Sequence, residues 1–399
     1  MSSQRIILHI DQNCFFASVG MIYHPEMRNV PMAVAGDKNE RHGIILAKNQ
    51  LASSYGVKTA EAIWQAQSKC PGLQLLAPEY DKYEFYSKKL KYMYAEYTDQ
   101  VEPFGLDECW LDMTGILKDF DEAKEFADMI RERVKNEFKL TCSVGVSFNK
   151  CFAKLGSDYK KPDATTVIRP DNFKEIVWPL PASDLLFVGR STVKNLSKIN
   201  VNTIGDLAAL DYDYITCFLG KNGQLLWDYA NGNDDSPVAE IKSKREIKSI
   251  GNSTTTPQDM SSLDDVKRTL LRLAGTVSER LRKHNLKCTA IQLHVRDRDL
   301  EIYEHQKIIY EATFSRKEIY ETAVELFVES YDWHCPVRSI GIRCINVVSS
   351  DEGTQISLFT DMKKREKDEK LNNVMREINL RYGKRTVRNL GELDPEDEV

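Results

Sequence analysis

Three acidic residues follow short apolar runs, at positions where a strand of a sheet would end. Asp11 follows Ile6-Ile7-Leu8-His9-Ile10, and the pair Asp107-Glu108 follows the stretch that starts at Val101. Carboxylate oxygens are preferred ligands of hard divalent cations, and two Mg²⁺ ions about 3.5–4 Å apart can clamp the attacking and leaving oxygens of a phosphoryl transfer. These residues are therefore candidate ligands of a two-metal site. Taken singly, each is more often a surface carboxylate at a strand end.

The adjacent pair raises a geometric objection to a shared site. Successive side chains of a strand point to opposite faces, so Asp107 and Glu108 would separate if both lay within one strand. Gly105, two residues earlier, permits a bend or bulge that would bring both carboxylates to one site. Spacing alone leaves both arrangements open.

Apolar periodicity predicts the elements that must position these residues. Residues 6–10 form a short buried strand, a helix starts near Phe15, and residues 43–77 form a small inserted subdomain. The further predicted elements are a strand over 43–47, a helix that stops at Tyr55-Gly56, helices over 59–69 and 80–97, a hairpin over 101–112, a helix ending at Phe138 and a strand over 141–147. Together they can form one mixed sheet covered by helices.

The second half of the chain reads differently. After Lys160-Lys161-Pro162-Asp163 the pattern predicts short helices, among them 191–198 and 203–210, and the turn formers of 231–237 predict a linker. The predicted elements that follow are a strand over 247–253, a helix over 263–284, strands over 289–295 and 308–312, a helix over 316–331 and a strand over 337–347. This β-α-β-β-α-β order indicates an independent α+β domain.

Length and composition limit the class of protein. A chain of 399 residues predicts several domains, and 42% apolar with 29% charged residues excludes both a membrane protein and global disorder. Because no signal segment and no run of 18 apolar residues is present, the sequence predicts a cytoplasmic protein without membrane contact. The nine cysteines form no C-x-x-C pair, which indicates reduced, mostly buried thiols rather than a disulfide framework or a zinc site.

Net charge hides a basic region. The whole chain carries −5, but residues 242–298 contain thirteen Lys or Arg against six Asp or Glu, an excess of seven positive charges. Because a field that attracts nucleic acid is set locally, this segment is a candidate DNA-binding module in an acidic chain.

Several motifs now carry a family resemblance. Residues 9–19, HIDQNCFFASV, resemble the opening motif of the Y-family translesion DNA polymerases, and residues 101–112, VEPFGLDECWLD, resemble their second metal motif. A third block comprises GVSFNK at 145–150, FAKL at 152–155 and KKP at 160–162. The similarity continues to about residue 360, most closely in the bacterial DNA polymerase IV type.

The resemblance implies a multidomain α+β fold shaped like a right hand. It comprises a ferredoxin-like palm, small fingers, a helical thumb with a helix-hairpin-helix, and a β-α-β-β-α-β little finger. The implied bounds are 1–11 with 80–168 for the palm, 12–79 for the fingers, 169–232 for the thumb, 233–244 for a linker, 245–348 for the little finger and 349–399 for a clamp-binding tail.

The resemblance also implies the catalytic roles. Asp11, Asp107 and Glu108 would hold two Mg²⁺ ions together with the backbone carbonyl of Gln12. Phe16 falls on the steric gate that leaves no room for a ribose 2′-hydroxyl. The other implied nucleotide contacts are Phe15 and Lys161, the latter at the position of a lysine that touches the triphosphate.

The fingers depart from the family pattern. Gln50 and Ser53 stand where many relatives carry a tyrosine and an arginine that touch the triphosphate, and Lys48 is the candidate for the missing charge. Gly105 replaces the serine that is usual before the acidic pair, which affects the flexibility of the loop more than metal binding.

Two segments are candidate DNA contacts. Residues 184–191 resemble a helix-hairpin-helix, in which amides near Gly189 and Ser191 would bind a backbone phosphate, although an ordinary helical hairpin fits equally. The second segment, whose predicted contacts are Lys248, Ser249, Gly251 and Ser253, combines a cation, hydroxyls and a glycine on a strand. The basic excess around it favours DNA over an ordinary strand and turn.

The tail carries a short motif. Residues 355–359, QISLF, resemble the peptide by which bacterial polymerases bind the sliding clamp, with Leu358 and Phe359 as anchors and Gln355 as a hydrogen-bonding group. A chance pentapeptide is the alternative. The following segment, with Leu371 to Tyr382 at helical spacing, is more simply an amphipathic tail helix.

The sequence therefore predicts a monomeric DNA polymerase that adds dNTPs to a primer-template, is specialised for translesion synthesis and lacks proofreading. Two alternatives compete with it. A catalytically silent accessory protein bridging DNA and the clamp would have lost the metal carboxylates, and all three are present. A nuclease or cyclase on a related sheet would not need the thumb and the basic C-terminal domain.

Overall fold

A computed structural model describes residues 4–36, 43–243 and 246–351, with scattered residues between 367 and 387. These residues form two compact units, one from 4–36 and 43–243 and the other starting at 246. Among the described residues no helix is long and apolar enough to cross a membrane. All nine cysteines are free thiols, and seven of them are buried.

The first unit contains a larger and a smaller sheet. Their strands are β1 (Ile7–Gln12), β2 (Met32–Ala35), β3 (Ile45–Lys48), β4 (Gln74–Leu76), β5 (Val101–Phe104), β6 (Glu108–Asp112), β7 (Cys142–Ser147) and β8 (Thr165–Ile168). The larger sheet has the order β5-β6-β1-β7-β8, in which only β7 and β8 are parallel. The smaller sheet has the order β3-β2-β4.

Six helices cover these sheets. They are α1 (Phe15–Tyr23), α2 (Gln50–Ser54), α3 (Ile63–Lys69), α4 (Tyr80–Tyr94), α5 (Phe120–Phe138) and α6 (Lys150–Tyr159). Leu8 and Ile10 of β1 lie in the core that α4 and α5 complete, whereas Ile7 packs with Ala153 of α6. Because side chains alternate along a strand, His9 and Asp11 share the face of Ile7, which α6 covers.

Gly145 allows α6 to lie directly on the larger sheet. A Cβ at this position would be 1.9 Å from the carbonyl oxygen of Ala153 and 2.4 Å from the backbone nitrogen of Ser157. Gly145 is also the β7 partner of His9. The turn of α6 from Ala153 to Ser157 is therefore held beside β1, which brings Lys154 to the acidic end of that strand.

The smaller sheet differs in detail from the predicted subdomain. The strand expected over 43–47 is β3, and the helix expected from Thr59 begins four residues later at Ile63. Residues 59–60 form a turn, in which Ala60 adopts a positive φ of 66°, so the predicted start was wrong. Strand β2 was not predicted, because its four residues carry no alternation to distinguish them from a buried loop.

Five further helices complete the first unit. They are α7 (Phe173–Val177), α8 (Arg190–Ser197), α9 (Ile204–Ala208), α10 (Tyr212–Leu219) and α11 (Lys221–Ala230). Their apolar side chains share one core with Cys151, Phe152 and Leu155 of α6. This core attaches the helical region to the larger sheet through α6.

The segment expected as a linker is docked on the first unit. Asp234 is buried and its Oδ2 accepts a hydrogen bond from the backbone nitrogen of Cys151 at 3.1 Å. Val238 is buried as well, and the backbone nitrogen of Ala239 donates to Glu102 at 3.0 Å. Residues 231–243 contain no helix or strand, and these contacts hold the segment against the first unit.

The second unit has the predicted β-α-β-β-α-β order. Its elements are β9 (Ser249–Met260), α12 (Leu263–Lys283), β10 (Leu286–Asp297), β11 (Ile302–Thr313), α13 (Arg316–Ser330) and β12 (Val337–Ser349). They form one antiparallel sheet in the order β11-β10-β12-β9. Both helices pack on one face of it, against side chains such as Ile291, Leu293 and Val295.

Candidate active site

The carboxylates meet at one end of the larger sheet. Asp11 at the end of β1 is paired directly with Glu108 at the start of β6, so both side chains lie on the face covered by α6. Asp107 lies outside β6, and its carbonyl accepts a hydrogen bond from the nitrogen of Gln12 at 3.1 Å. Gly105, with a φ of 82°, forms the preceding turn. The objection from strand alternation therefore does not apply, because only Glu108 of the pair belongs to the strand.

Two lysines contact the same carboxylates. Lys154 Nζ lies 2.7 Å from Glu108 Oε2, 3.2 Å from Asp11 Oδ2 and 3.3 Å from an oxygen of Asp158. Lys161 Nζ lies 2.7 Å from Asp11 Oδ2 and 2.6 Å from the other oxygen of Asp158. We call these six residues, Asp11, Asp107, Glu108, Asp158, Lys154 and Lys161, the acidic cluster.

The pKa values of the two neighbouring acids are driven apart. Burial raises the pKa of Asp107 to about 6, and the charges of Asp11 and Glu108 add to this. Burial would also raise the pKa of Glu108, but contacts with His9 and Lys154 outweigh it and lower the value to about 2. A bound divalent cation favours the ionised form of every carboxylate near it, so it would lower the raised pKa of Asp107.

The donor atoms fit Mg²⁺. The cluster offers hard carboxylate oxygens, and its four acids exceed its two ammonium groups. Within the part of the chain that the structure describes, no three His, Cys, Asp or Glu side chains are already gathered around one ion position. Ammonium groups lie instead on Asp11 Oδ2 and Glu108 Oε2. Asp11, Asp107 and Glu108 would hold the ions.

The turn before Asp107 is held by a lysine of α4. Lys91 Nζ lies 2.8 Å from the carbonyl oxygen of Gly105, 3.3 Å from that of Leu106 and 2.9 Å from Ser87 Oγ. Burial lowers the pKa of Lys91, in part offset by the acids nearby. Lys91 therefore fixes this turn through two backbone carbonyls.

Apart from Lys161, the expected nucleotide contacts lie at two places in the first unit, the start of α1 and the segment from β3 to α2. Phe16 stacks on Tyr83 with ring centroids 4.0 Å apart and lies edge-on to Tyr80 at 5.9 Å. Phe15 is buried in the core. Lys48 ends β3 of the smaller sheet, and Gln50 begins α2. Gln50 Nε2 lies 3.8 Å from Cys14 Sγ, and Lys48 Nζ lies 3.5 Å from Thr59 Oγ1.

The expected DNA contacts belong to other elements than the acidic cluster. Gly189 precedes α8, and Gly189 and Ser191 are both exposed at its first turn, next to Phe187 with a φ of 69°. In the second unit Ser249, Gly251 and Ser253 lie on β9 and Lys248 just before it. Gln355, Leu358 and Phe359 lie outside the described residues.

Neither α12 nor α13 covers the other face of the second unit's sheet, which we call the open face. Register places Gly251 beside Arg343, Arg343 beside Gln292, and Gln292 beside Gln306 across all four strands. The same alternation adds the residues Ser249, Ser253, Thr255, Ser339, His294, Arg296 and Glu304. A Cβ on Gly251 would be 3.0 Å from the Cβ of Arg343, so this glycine leaves the arginine room to lie across the strand.

Sequence reasoning missed several of these residues. His9, Lys91, Lys154, Arg296 and Arg343 received no role. For the two arginines a signal exists, since IQLHVRD and IGIRC alternate apolar with polar residues and the polar set must face away from the helices. For His9, Lys91 and Lys154 no local signal exists, because the contacts that join them to Glu108, to the carbonyl of Gly105 and to Asp11 span between 14 and 143 residues of the chain.

Comparison with known proteins identifies the class. Residues 10–158 match the model of the impB/mucB/samB family, and residues 247–358 match the C-terminal domain of that family. The structure aligns with a Y-family DNA polymerase chimera at a TM-score of 0.76, covering 86% of this chain and 99% of that one at 24% identity, which shows the fold.

Full-length relatives narrow the class. The chain is 47% identical over 385 residues to DNA polymerase IV of Acetivibrio thermocellus, covering 96% of each, and 35% identical over 394 residues to DNA polymerase IV 1 of Bacillus subtilis, covering 98% and 94%. It therefore belongs to the Y family of DNA polymerases, within the bacterial DNA polymerase IV group. The family resemblance and the mixed α+β fold class expected from the motifs are confirmed.

Proposed function

We propose that the protein is a template-directed DNA polymerase that extends a primer 3′ end with dNTPs during translesion synthesis in the bacterial cytoplasm. The observation that carries this is the pairing of Asp11 with Glu108 across adjacent strands, with Lys154 contacting both acids and Lys161 contacting Asp11. The relatives named DNA polymerase IV support it. The protein works as a monomer on primer-template DNA.

The residues of the acidic cluster and Phe16 have different proposed roles. Two Mg²⁺ ions held by Asp11, Asp107, Glu108 and the carbonyl of Gln12 would activate the primer 3′-hydroxyl and stabilise the leaving pyrophosphate. Lys161 lies on Asp11 at 2.7 Å and neutralises a carboxylate that otherwise repels a triphosphate. Phe16, fixed by its stack on Tyr83, blocks space beneath the sugar. The catalytically silent accessory protein is not favoured, since all three carboxylates are in place.

Primer extension with single dNTPs tests the proposal. The protein with Mg²⁺ and primer-template should add the nucleotide complementary to the template, and Asp11→Asn should not. Asp112→Asn, at the opposite end of β6, is the matched control and should retain activity within a few-fold. Strand cleavage without extension would indicate a nuclease instead, and DNA binding without either reaction would indicate an accessory protein.

Residues 355–359 are proposed as the clamp peptide, on their resemblance alone. Tethering raises the effective concentration of the enzyme at the primer end. Replacing Leu358 and Phe359 by alanine should abolish stimulation by a loaded clamp and leave basal extension unchanged. Stimulation that persists in this variant would remove the peptide from that role.

A further inference from the structure

A buried histidine lies directly behind one carboxylate of the acidic cluster. His9 is fully inaccessible to solvent, on the face of β1 that also carries Asp11. Its Nε2 lies 3.2 Å from Glu108 Oε2, and its Nδ1 lies 2.8 Å from Ser157 Oγ. Trp110 packs edge-on against the ring with centroids 5.0 Å apart. Contacts on three sides thus fix the ring plane.

These contacts come from three separate elements. Glu108 and Trp110 belong to β6, whereas Ser157 belongs to α6 and is itself fully buried. Ser157 reaches the ring only because α6 approaches the sheet so closely at Gly145. Ser157 Oγ also lies 2.8 Å from the carbonyl oxygen of Lys154, so its single hydrogen goes either to that carbonyl or to Nδ1. When it goes to Nδ1, that nitrogen is the acceptor and the neutral ring carries its proton on Nε2, the nitrogen that faces Glu108.

Two groups approach the same oxygen of Glu108. His9 Nε2 and Lys154 Nζ lie 3.2 Å and 2.7 Å from Oε2. A carboxylate held through one oxygen cannot rotate freely, and its other oxygen, Oε1, keeps a defined direction. Metal ligands commonly depend on such outer partners, whose removal costs about 10–100-fold in metal affinity or activity.

We propose that His9, held by Ser157, is a positioning residue that orients Glu108 for metal binding. This rests on the proposed two-metal function of Glu108. The competing explanation is that the imidazole only fills space between Trp110 and α6. A space-filling ring could be replaced by phenylalanine without consequence for the metal, whereas a positioning ring could not.

The test compares His9→Phe with His9→Gln in the full-length protein. Phenylalanine keeps the ring and removes both nitrogens, and glutamine places an amide N–H near the position of Nε2. Mn²⁺ affinity is measured by electron paramagnetic resonance with a dideoxy-terminated primer-template and dNTP present. We expect about 10–100-fold weaker binding for His9→Phe, a recovery of most of that loss in His9→Gln, and an intermediate loss for Ser157→Ala.

Ser147→Ala is the matched control. Ser147 of β7 is fully buried like Ser157, but its hydroxyl donates to the carbonyl of Ile168 at 2.9 Å, four residues along β7 from the partner of Asp11. Ser147→Ala should lose about as much stability as Ser157→Ala and yet bind Mn²⁺ like the wild type. The positioning role is overturned if His9→Phe or, should that variant not fold, Ser157→Ala binds Mn²⁺ as the wild type does, or if Phe and Gln weaken binding equally. A wild type that binds no Mn²⁺ and extends no primer would instead overturn the proposed function.

Discussion

The acidic cluster and the open face of the second unit handle charge in opposite ways. In the cluster, His9 of β1, Lys154 of α6 and Lys161 just after α6 approach within 2.7–3.2 Å of one oxygen of Asp11 or one of Glu108, largely shielded from water. On the open face, arginines, serines and glutamines are spread over four strands, and most of them are exposed or half-buried. The first arrangement depends on each atom being in place, whereas the second depends on a sum of similar contacts.

This difference follows from the chemistry that each region serves. A metal-assisted phosphoryl transfer needs fixed donors in a shielded place, since electrostatic interactions there are strong and a misplaced group is costly. A grip on DNA phosphates comes from many weak contacts and counterion release, in which no single contact dominates. Single substitutions should therefore have large effects in the cluster and small ones on the open face.

The largest effect is expected from Glu108→Gln. The amide keeps the shape of the side chain and removes the charge that Lys154 and a metal ion both need. We expect incorporation to fall by about 10³-fold or more, as measured by single-turnover primer extension, because metal and electrostatic terms supply most of such catalysis. Duplex binding by fluorescence anisotropy should stay within about twofold. An active Glu108→Gln variant would contradict the expectation that single substitutions in the acidic cluster have large effects.

The second prediction concerns choice of sugar rather than rate. Phe16→Ala removes the ring that stacks on Tyr83 and opens the space below the ribose. The ratio of kcat/KM for dNTP over rNTP should fall by about 10²-fold, mostly through faster rNTP use. Phe16→Tyr keeps the ring and serves as the control. If the ratio is the same in Phe16→Ala and the wild type, the gate lies elsewhere.

The third prediction is a gain of stability. The pKa of Asp107 is about 6 in the folded protein, against about 3.9 in an unfolded chain. Between these values the folded protein holds a proton that the unfolded chain has released, so raising the pH from about 4 to 6 lowers the free energy of unfolding. Asp107→Asn removes this loss and should be more stable than the wild type at pH 8 by about 1–3 kcal/mol.

Thermal unfolding in chelator checks this prediction. The variant should unfold several degrees higher than the wild type at pH 8, and the difference should disappear near pH 4, where the wild-type side chain is protonated as well. Added Mg²⁺ should raise the transition of the wild type more than that of the variant. A variant less stable than the wild type at pH 8 would mean that ionised Asp107 does not destabilise the folded protein.

The sequence predicted the two regions unequally. The order of the second unit followed from alternation in β10 and β12 and from helical periodicity between them, since those patterns are local. The pairing of Asp11 with Glu108 required β6 to begin one residue after Asp107, which no local pattern dictates. The position of Lys161 on Asp11 likewise joins residues that are 150 positions apart. Asp11, Asp107, Glu108 and Lys161 were thus predicted from the motifs and the resemblance, whereas the contacts of Lys154, Asp158 and His9 emerged only from the structure.

The smallest effect is expected from Arg343 on the open face. Arg343 is exposed, and its Nε donates to Ser249 Oγ of β9 at 3.0 Å, so the guanidinium lies across that strand with other N–H groups available to a phosphate. Arg343→Gln should weaken primer-template binding only several-fold and lower the slope of log K against log salt by about 0.9, the value of one phosphate contact. The loss should be equal for unrelated DNA sequences, since phosphate contacts carry no base information. Arg343→Lys keeps the charge and should keep the slope. If Arg343→Gln abolishes binding or discriminates between sequences, the open face acts through individual positioned contacts, as the acidic cluster does, rather than through their sum.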